Sequence, residues 1–360
     1  MKKDLPSEII ADILLRLPLE SVATCKCVCK PWLDVIETDD FVTSHLSKSA
    51  PALAVSMPTE YSNWFNVFKL EDEPEHEHEH VPITKFDFPQ ASTIQGSVDG
   101  LLLLKNPFID HLYICNPVTR EFVELRGLRT LPRGDCYGFG VGKISGQHKV
   151  VYLNPKSGCH VYTLETGYPW RRVEAALSFD NYYNFCFSSA GVYFNGNLHW
   201  LVSNGRTSLY ICCFDVETEC FSTFSTPVES FMGKLHTLGD CLSFCDIEPH
   251  GDGNVIWLLK ECESGEKCWR EVHAISRKES YYGIDLYDSF QLIQVYRNGD
   301  MLILWDEKLF IYYSNEERTT REIGLFGKMD DDCYYINCIT LTPSFLSLKR
   351  NLGMENVMSF

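Results

Sequence analysis

The sequence predicts a small all-α head followed by an all-β domain that forms a six-bladed β-propeller. Residues 5–46 carry apolar side chains at helical spacing, which predicts short amphipathic helices. The remaining chain alternates short apolar runs with turns that contain glycine, asparagine or aspartate. One such turn recurs with glycines at positions 100, 146, 196, 253 and 299. Spacings of roughly 46–57 residues are typical of four-stranded propeller blades.

Four helices are expected in the head. The first has a single apolar stripe of period 3.6, made by Ile9, Ile10, Ile13, Leu14 and Leu17. Pro18 ends this helix, because proline cannot donate the next backbone hydrogen bond. A second apolar set runs from 19 to 28, and Pro31 can open a third helix. Asp39 or Asp40 caps a last helix that runs through Leu46.

The head has more apolar surface than its short helices can bury by themselves. Two alternatives follow: the head packs on the β domain, or the helices of another protein cover its stripe. A propeller that is closed by its own two ends has no evident need of a helical cap. The sequence therefore favours an external partner, with residues 47–51 acting as the joint between the two domains.

The β domain divides into repeated units of four strands. The same strand order fits residues 136–174, 187–225 and 290–326, and five blades lie between 93 and 326. Three further strands at 51–57, 65–70 and 83–88 and one at 335–341 remain. We predict that they form a sixth blade from both chain ends, because closure protects sheet edges. A competing all-β sandwich would lack this even spacing.

The head closely resembles the F-box of plant F-box proteins. The resemblance is carried by Leu5-Pro6-x-Glu8-Ile9, Ile13-Leu14-x-Arg16-Leu17-Pro18, Ser21-Val22, Lys26-Cys27-Val28-Cys29-Lys30-x-Trp32, Ile36 and Phe41…His45-Leu46. It implies docking on the Skp-type adaptor of a Skp–cullin–F-box ubiquitin ligase. The adaptor-binding positions that it implies are Leu5, Pro6, Ile9, Ile13, Leu14, Leu17 and Pro18, with Leu19 and Val22 as neighbours.

The β domain resembles the F-box-associated, kelch-like domain of the same plant proteins. The strongest piece is Gly191-Val192-x-x-Asn195-Gly196-x-Leu198-His199-Trp200, and Asn116-Pro117-x-Thr119-Arg120-Glu121-Phe122 is another. The resemblance implies that this domain holds a client protein for ubiquitylation. The expected domains are the F-box at 1–47, the propeller at 50–348 and a C-terminal tail at 349–360.

Charge and hydropathy restrict the partners and the compartment. The net charge of −17 argues against nucleic acid, whose phosphates attract basic surfaces. No apolar run reaches the roughly 18 residues of a membrane span, and no secretory signal is evident. We expect a cytoplasmic or nuclear protein. Its 16 cysteines include no C-x-x-C pair, so we expect reduced, mostly buried thiols and no metal.

No pattern in the sequence predicts catalysis or a cofactor. The G-x-S-x-G, P-loop and H-E-x-x-H motifs are all missing. His199-Trp200 lies in a regular apolar strand, which predicts packing rather than chemistry. The alternating Glu75–His80 tract is interpreted as a charged loop rather than a metal site. A propeller enzyme remains the least favoured alternative.

Paired tyrosines lie between the predicted sheets and are the candidate client-binding residues: Tyr182, Tyr183, Tyr281, Tyr282, Tyr334 and Tyr335. Loops on a rigid scaffold commonly carry binding residues, and tyrosine favours interfaces. The alternative is ordinary packing between blades. The leading hypothesis is a substrate receptor that bridges the adaptor, and through it the cullin, to a client. The second is a scaffold that uses the same adaptor without degrading its partner.

Overall fold

The structure is a computed structural model, and it describes residues 5–70, 81–106, 108–109, 111–127, 135–154, 156–166, 170–174, 190–203, 209–229, 233–247, 253–261, 267–276, 290–323 and 333–360. Four short helices precede an all-β domain of six sheets, which confirms the predicted fold class. None of the helices in the described part of the chain has the length and apolar character needed to cross a membrane.

The head consists of α1 (Ser7–Leu14), α2 (Leu19–Cys25), α3 (Lys30–Ile36) and α4 (Asp39–Leu46). Pro6 and Pro18 stand immediately before α1 and α2, where their missing N–H groups cost no helical hydrogen bond. Thr38 caps α4, because its Oγ1 accepts a hydrogen bond from the Phe41 N–H at 3.3 Å. The cap expected at Asp39 or Asp40 is therefore one residue late, and both acids lie in the first helical turn.

Blades 1 to 3 contain thirteen strands. Blade 1 has β1 (Ala52–Pro58), β2 (Asn63–Lys69), β3 (Thr84–Asp87) and β24 (Asn337–Leu341). Blade 2 has β4 (Thr93–Val98), β5 (Leu101–Lys105), β6 (Leu112–Asn116), β7 (Glu121–Leu125) and β25 (Met358–Ser359). Blade 3 has β8 (Cys136–Val141), β9 (His148–Asn154), β10 (Gly158–Thr163) and β11 (Arg171–Val173).

Blades 4 to 6 contain the other twelve strands. Blade 4 has β12 (Val192–Phe194), β13 (Asn197–Ser203), β14 (Leu209–Asp215) and β15 (Phe221–Ser225). Blade 5 has β16 (Gly233–Leu238), β17 (Cys241–Ile247), β18 (Gly253–Glu261) and β19 (Lys267–Ser276). Blade 6 has β20 (Phe290–Val295), β21 (Met301–Trp305), β22 (Leu309–Ser314) and β23 (Thr319–Glu322).

Both ends of the β domain meet in blade 1. Strand β24 is antiparallel to β1, with Ala52 opposite Leu341 and Ser56 opposite Asn337. The predicted closure by the first and last strands is therefore confirmed. Apolar side chains of both strands pack into the cores on either side, because successive residues of a strand point to opposite faces.

Blade 5 differs from the predicted repeat. The sequence placed the recurring turn at Gly253, but that residue begins β18. The hairpin between the first two strands of the blade is formed at Gly239 instead, where φ is +53°. Gly239-Asp240 meets the same requirement for positive φ as the turns at Gly100 and Gly196. The assignment of Gly253 to this turn is therefore wrong.

The turns of the propeller lie on two faces. The turns between the first and second strands of each blade, such as 99–100 and 195–196, lie on the face where residues 47–51 connect the head to β1. We call this the head-side face. The turns between the second and third strands, such as 59–62 and 106–111, lie at the opposite strand ends. The connections between blades begin and end there as well, and we call this the far face.

The C-terminal residues pack on blade 2. Strand β25 pairs with the outer strand β7, with Met358 opposite Phe122. The Phe360 ring lies 4.5 Å from the Phe86 ring and 5.7 Å from the Phe88 ring, between ring centroids. The residues predicted as a tail from 349 onward therefore add a fifth strand to this blade.

Cysteines pack largely inside the sheets. Those that are buried in the described part of the chain are Cys115, Cys136, Cys159, Cys212, Cys213, Cys245 and Cys338. Burial raises the pKa of the Cys159 and Cys212 thiols to about 12, so they stay protonated and unreactive. Cys268 is disulfide-bonded, which differs from the expectation of reduced thiols.

Candidate protein-binding surfaces

An apolar ridge lies exposed along the outer side of α1. Leu5, Ile9 and Ile13 are 55%, 47% and 44% exposed, and they follow one another at intervals of four residues. Side chains at this spacing stand one above the other on one helix face. Pro6, immediately before α1, and Pro18, immediately before α2, are also exposed. The ridge is thus an apolar strip that no side chain of the described residues covers.

The inner side of α1 belongs to a closed core. Ile10 and Leu14 pack with Val22, Ile36 and Phe41, and all are buried. The single stripe predicted from residues 9 to 17 is therefore split into two faces. Of the predicted adaptor-binding residues, Leu14 and Val22 are completely buried in this core. They support the ridge by packing beneath it, and a partner cannot contact them in this conformation.

Phe345 of the C-terminal segment completes the head core. Its ring lies 5.0 Å from the His45 ring, edge to face, and 5.8 Å from Lys26 Nζ. Burial lowers the pKa of His45, so its ring is neutral against this core. The head therefore packs in part on its own chain, which is the alternative that the sequence disfavoured. The head covers its inner face with the chain's own C-terminal segment.

Polar contacts reinforce this junction. Arg350 forms an ion pair with Glu37, and Lys26 Nζ lies 3.7 Å from the same carboxylate. Asn351 donates a hydrogen bond to Asp39 at 2.6 Å. Residues from α2, the end of α3 and the start of α4 are thereby joined to one segment of the chain.

The same C-terminal segment is hydrogen-bonded to blade 2. The Asn116 side-chain amide donates to the carbonyl oxygens of Ser344 and Leu346, at 3.1 and 2.8 Å. Glu121 accepts hydrogen bonds from the Ser347 hydroxyl and the Leu348 N–H, at 2.9 and 2.7 Å. Because residues 343–351 contact the head and the propeller at once, they fix the orientation of one relative to the other. We call residues 343–351 the strut.

A cleft of about 190 Å³ lies between the head and blade 1. The predicted adaptor-binding residues Leu17, Pro18 and Leu19 line it from the head, facing Pro51 and Ile83. Leu17 and Leu19 are half-buried there, whereas Pro18 is exposed. These three residues continue from the ridge toward the propeller.

On the far face, the two tyrosines of the last predicted pair have different environments. Tyr334 is 60% exposed, and its N–H donates to the Pro58 carbonyl at 3.0 Å. Tyr335 is half-buried, its hydroxyl lies 3.2 Å from Ser92 Oγ, and burial raises its pKa. Tyr335 thus packs between blades, while Tyr334 presents its ring outward. The other four candidates, Tyr182, Tyr183, Tyr281 and Tyr282, lie outside the described residues.

Two further hairpins expose apolar side chains on the far face. Phe108 and Ile109 project from the β5–β6 turn, and Phe108 is 92% exposed. Asn106 holds this turn, because its Oδ1 accepts from the N–H groups of Phe108 and Ile109 at 2.9 and 3.1 Å. Tyr61 projects from the β1–β2 turn. None of these residues was among the predicted client-binding residues, although a bulky apolar residue at a turn is a usable signal.

Comparison with known protein families matches residues 54–342 to the F-box associated beta propeller domain. It matches residues 3–44 to the F-box domain. The chain belongs to the F-box-associated β-propeller family. The head that carries the ridge is its F-box, and the six sheets are its F-box-associated propeller.

Relatives of similar length occur in Arabidopsis thaliana. F-box protein At5g65850 is 27% identical over 342 residues, which cover 88% of this chain and 83% of the relative. F-box protein At1g47340 is 26% identical over 359 residues, which cover 88% and 74%. Among solved structures, AofleA from Arthrobotrys oligospora gives a TM-score of 0.40 at 12% identity, covering 83% of this chain and 91% of that one.

The residues of the F-box-associated domain that could suggest chemistry have structural roles. Trp200 is fully buried, and its Nε1 donates to the Tyr137 carbonyl at 3.2 Å. Burial lowers the pKa of His199 to about 4, and its Nδ1 lies 3.2 Å from the Val192 carbonyl. Within the described ranges, no three His, Cys, Asp or Glu side chains are grouped as a metal site. The Glu75–His80 tract lies outside those ranges.

Proposed function

We propose that this F-box protein is the substrate receptor of a Skp–cullin–F-box ubiquitin ligase. The F-box binds a Skp-type adaptor, and the propeller holds a client protein. The cullin, held through the adaptor, brings the ubiquitin-transfer machinery close to the client's lysines. The receptor itself makes no bonds. We place it in the cytoplasm or nucleus, and we retain the kelch-like description of its blades as part of the same proposal.

The exposed ridge on α1 is the observation that supports adaptor binding. The inner face of the head is already covered by Phe345, yet Leu5, Ile9 and Ile13 stay in solvent. A helix with two apolar faces, of which the fold buries only one, has the other face left for a partner. We assign the adaptor contact to Leu5, Pro6, Ile9, Ile13 and Pro18, with Leu17 and Leu19 at its margin. Leu14 and Val22 act by supporting this face.

Replacing Ile9 and Ile13 together by alanine tests the adaptor contact. Each side chain is about half exposed, so its truncation removes roughly 1 kcal/mol of apolar burial on binding. We expect the double variant to bind purified adaptor about thirtyfold more weakly, measured by calorimetry. Ile144→Ala is the matched control, because Ile144 is exposed on the β8–β9 turn of the propeller and is not part of the F-box. Unchanged affinity of the double variant would refute the assignment.

The far face is the proposed client surface. It carries Tyr61, Phe108, Ile109 and Tyr334 in exposed positions, whereas the head occupies the opposite face. A client on the far face therefore does not compete with the adaptor for space. The turns that present these side chains are held by hydrogen bonds to blades 1 and 2, so little entropy is lost when they bind.

Client capture tests this surface. The full chain and a Tyr61→Ala/Phe108→Ala/Tyr334→Ala variant are used to capture proteins from cells whose proteasome is inhibited. We expect the variant to lose specific clients while keeping the adaptor. Ile144→Ala again serves as the control. Retention of every client by the triple variant would exclude the far-face turns as the client surface.

The alternative scaffold function is distinguished by client abundance. A substrate receptor predicts that captured clients accumulate when cullin activity is blocked. A non-degradative scaffold predicts that their abundance stays constant while the complex with the adaptor persists.

A further inference from the structure

A cavity of about 290 Å³ lies on the propeller axis, where the inner strands of the blades meet. Strands β4, β12, β16, β20 and β24 all contribute to its wall. Inner strands run from the far face to the head-side face. The axial cavity therefore lies next to the far-face turns, and Glu307 of the β21–β22 turn stands at its far-face end.

Strand β16 directs two nitrogen-bearing side chains into this cavity. Lys234 and His236 are separated by one residue, so they point to the same side of the strand. The remaining lining combines apolar side chains, such as Leu53, Val192 and Ile293, with polar ones, such as Gln291 and Asn337. A concave site in which apolar side chains surround a few convergent polar groups is the usual form of a small-ligand site, and the axial cavity offers both kinds of group.

His236 has an unsatisfied ring nitrogen. Its Nε2 is shielded from solvent and has no hydrogen-bond partner among the described residues. Burial, with a smaller effect from Lys234, lowers the pKa of His236 to about 3, so the ring is neutral. A buried ring nitrogen without a partner costs free energy, and a rotation of the His236 ring toward the axial cavity would let a polar atom of a bound group recover it.

Lys234 has an unmatched charge. Within the described part of the chain, its ammonium makes neither a hydrogen bond nor an ion pair. Burial lowers its pKa, and Glu307 opposes this effect without forming an ion pair. Glu307 is exposed at the cavity end, where water screens its carboxylate. An ammonium in this position is complementary to an anion that displaces water from the cavity.

We propose that the axial cavity binds one carboxylate on a small apolar body, with Lys234 supplying the charge and His236 a hydrogen bond. The carboxylate belongs either to a free small acid or to the end of a client chain. The cavity's preference for a carboxylate stands independently of the proposed function, and only its assignment to a client rests on that function.

Calorimetry on the full chain tests the site with 3-phenylpropionate and its amide. We expect saturable binding of the acid and at least tenfold weaker binding of the amide. Lys234→Met should lose at least tenfold in affinity for the acid, whereas Lys234→Arg should retain it. Lys308→Met is the matched control, because Lys308 is exposed on a far-face turn and pairs with Asp306 at 3.0 Å. Equal binding of acid and amide, no binding of either, or full affinity in Lys234→Met would overturn the proposal.

A short peptide that ends in Gly-Phe, with a free or amidated C-terminus, distinguishes the two sources. Tighter binding of the free-acid peptide than of 3-phenylpropionate assigns the cavity to a client end. The reverse order assigns it to a free small acid. Adaptor binding is measured on Lys234→Met in parallel. Its retention separates a failure of the axial site from a failure of the receptor function.

Discussion

Ile13 and Leu14 are adjacent in α1 but have opposite environments. Ile13 is on the exposed ridge, and Leu14 has no exposed surface. We expect Leu14→Ala to lower the free energy of unfolding by about 2–5 kcal/mol, because it leaves a cavity in the head core. Ile13→Ala should change it by less than about 0.5 kcal/mol. Chemical denaturation followed by a probe in the head measures both values.

Adaptor binding gives the complementary readout for this pair of substitutions. Ile13→Ala should weaken binding without unfolding the head, and Leu14→Ala should weaken it only as far as the head unfolds. Equal stabilities for the two variants would contradict the split of the stripe into two faces.

His148 connects three elements through charge. Its Nε2 lies 3.1 Å from Asp99 and its Nδ1 lies 2.7 Å from Glu165. Burial by itself lowers the pKa of His148, but the hydrogen bonds and charges of the two carboxylates raise it to about 9. The protonated imidazole therefore ties the start of β9, where His148 lies, to Asp99 in the β4–β5 turn and to Glu165 in the turn after β10.

Because the folded pKa of His148 exceeds its ordinary value of 6.5, its contribution to stability is complete below pH 6.5 and is lost as pH rises through 9. We expect wild type to lose up to about 3 kcal/mol relative to His148→Gln across this window. Denaturant unfolding at several pH values measures the difference, with the exposed His111→Gln as control. Parallel pH profiles for wild type and His148→Gln would show that the imidazole is not charged in the fold.

Sequence patterns located individual residues only where the local period decides their environment. Trp200 was recognisable as a packed residue from its place in a regular apolar strand, whereas Leu14 was predicted to contact the adaptor and is buried instead. The period of 3.6 does not separate Ile9 from Ile10, because both fall within one broad stripe. Their separation depends on Phe345, which is more than 300 residues away in the sequence. Tyr334 and Tyr335 have different environments because the Tyr335 hydroxyl contacts Ser92, a residue far away in the sequence that no local rule pairs with it.

At the scale of elements, the strut is the connection that most affects the head. Phe345→Ala removes a buried ring from the head core, and we expect a loss of about 3–5 kcal/mol in the local stability of α1–α4. Hydrogen exchange should show faster exchange of the head amides. The propeller strands should keep their protection, because their ladders do not depend on this ring.

Phe360→Ala is the matched control for this experiment. Phe360 belongs to the same C-terminal stretch but packs against Phe86, Phe88 and Phe122 of blades 1 and 2. Its loss should loosen β25 and leave the head amides protected. If both variants left head exchange unchanged, the strut would not support the F-box.

Helices and hairpins followed from local chemistry more completely than the strut did. Prolines set the starts of α1, α2 and α3, and Asn-Gly or Asp-Gly turns set the inner hairpins of blades 2, 4 and 6. Blade 5 differs, because its inner hairpin turns at Gly239-Asp240, whereas Gly253, which the glycine spacing assigned to this turn, begins β18. The sequence offers two glycines there, and only strand pairing decides between them.

For the whole molecule, closure of the propeller by β24 and support of the head by the strut can be removed one at a time by truncation. A chain that ends at residue 342 keeps β24 but lacks Phe345 and β25. We expect it to retain a cooperatively folded propeller and to lose the ordered F-box. A chain that ends at 336 also lacks β24, and we expect its propeller to lose cooperative unfolding, because β1 and the neighbouring inner strands lose their partner.

Calorimetric unfolding and proteolysis of the two truncated chains measure these effects. The chain that ends at 342 should show rapid cleavage in the head and a propeller transition within a few degrees of wild type. A propeller that stayed cooperative in the chain that ends at 336 would show that closure by β24 is dispensable.

The pairing of β24 with β1 and the packing of Phe345 on α1 also affect how the protein is made. A nascent chain presents the F-box before Phe345 has been made, so the core of that F-box stays incomplete while roughly 300 further residues are synthesised. Blade 1 waits for β24 over almost the same interval. A prematurely terminated product therefore has both an incomplete head and an open propeller. Synthesis has to pass Phe345 before the exposed ridge of α1 stands on a complete head core, so copies that terminate earlier lack a stable F-box.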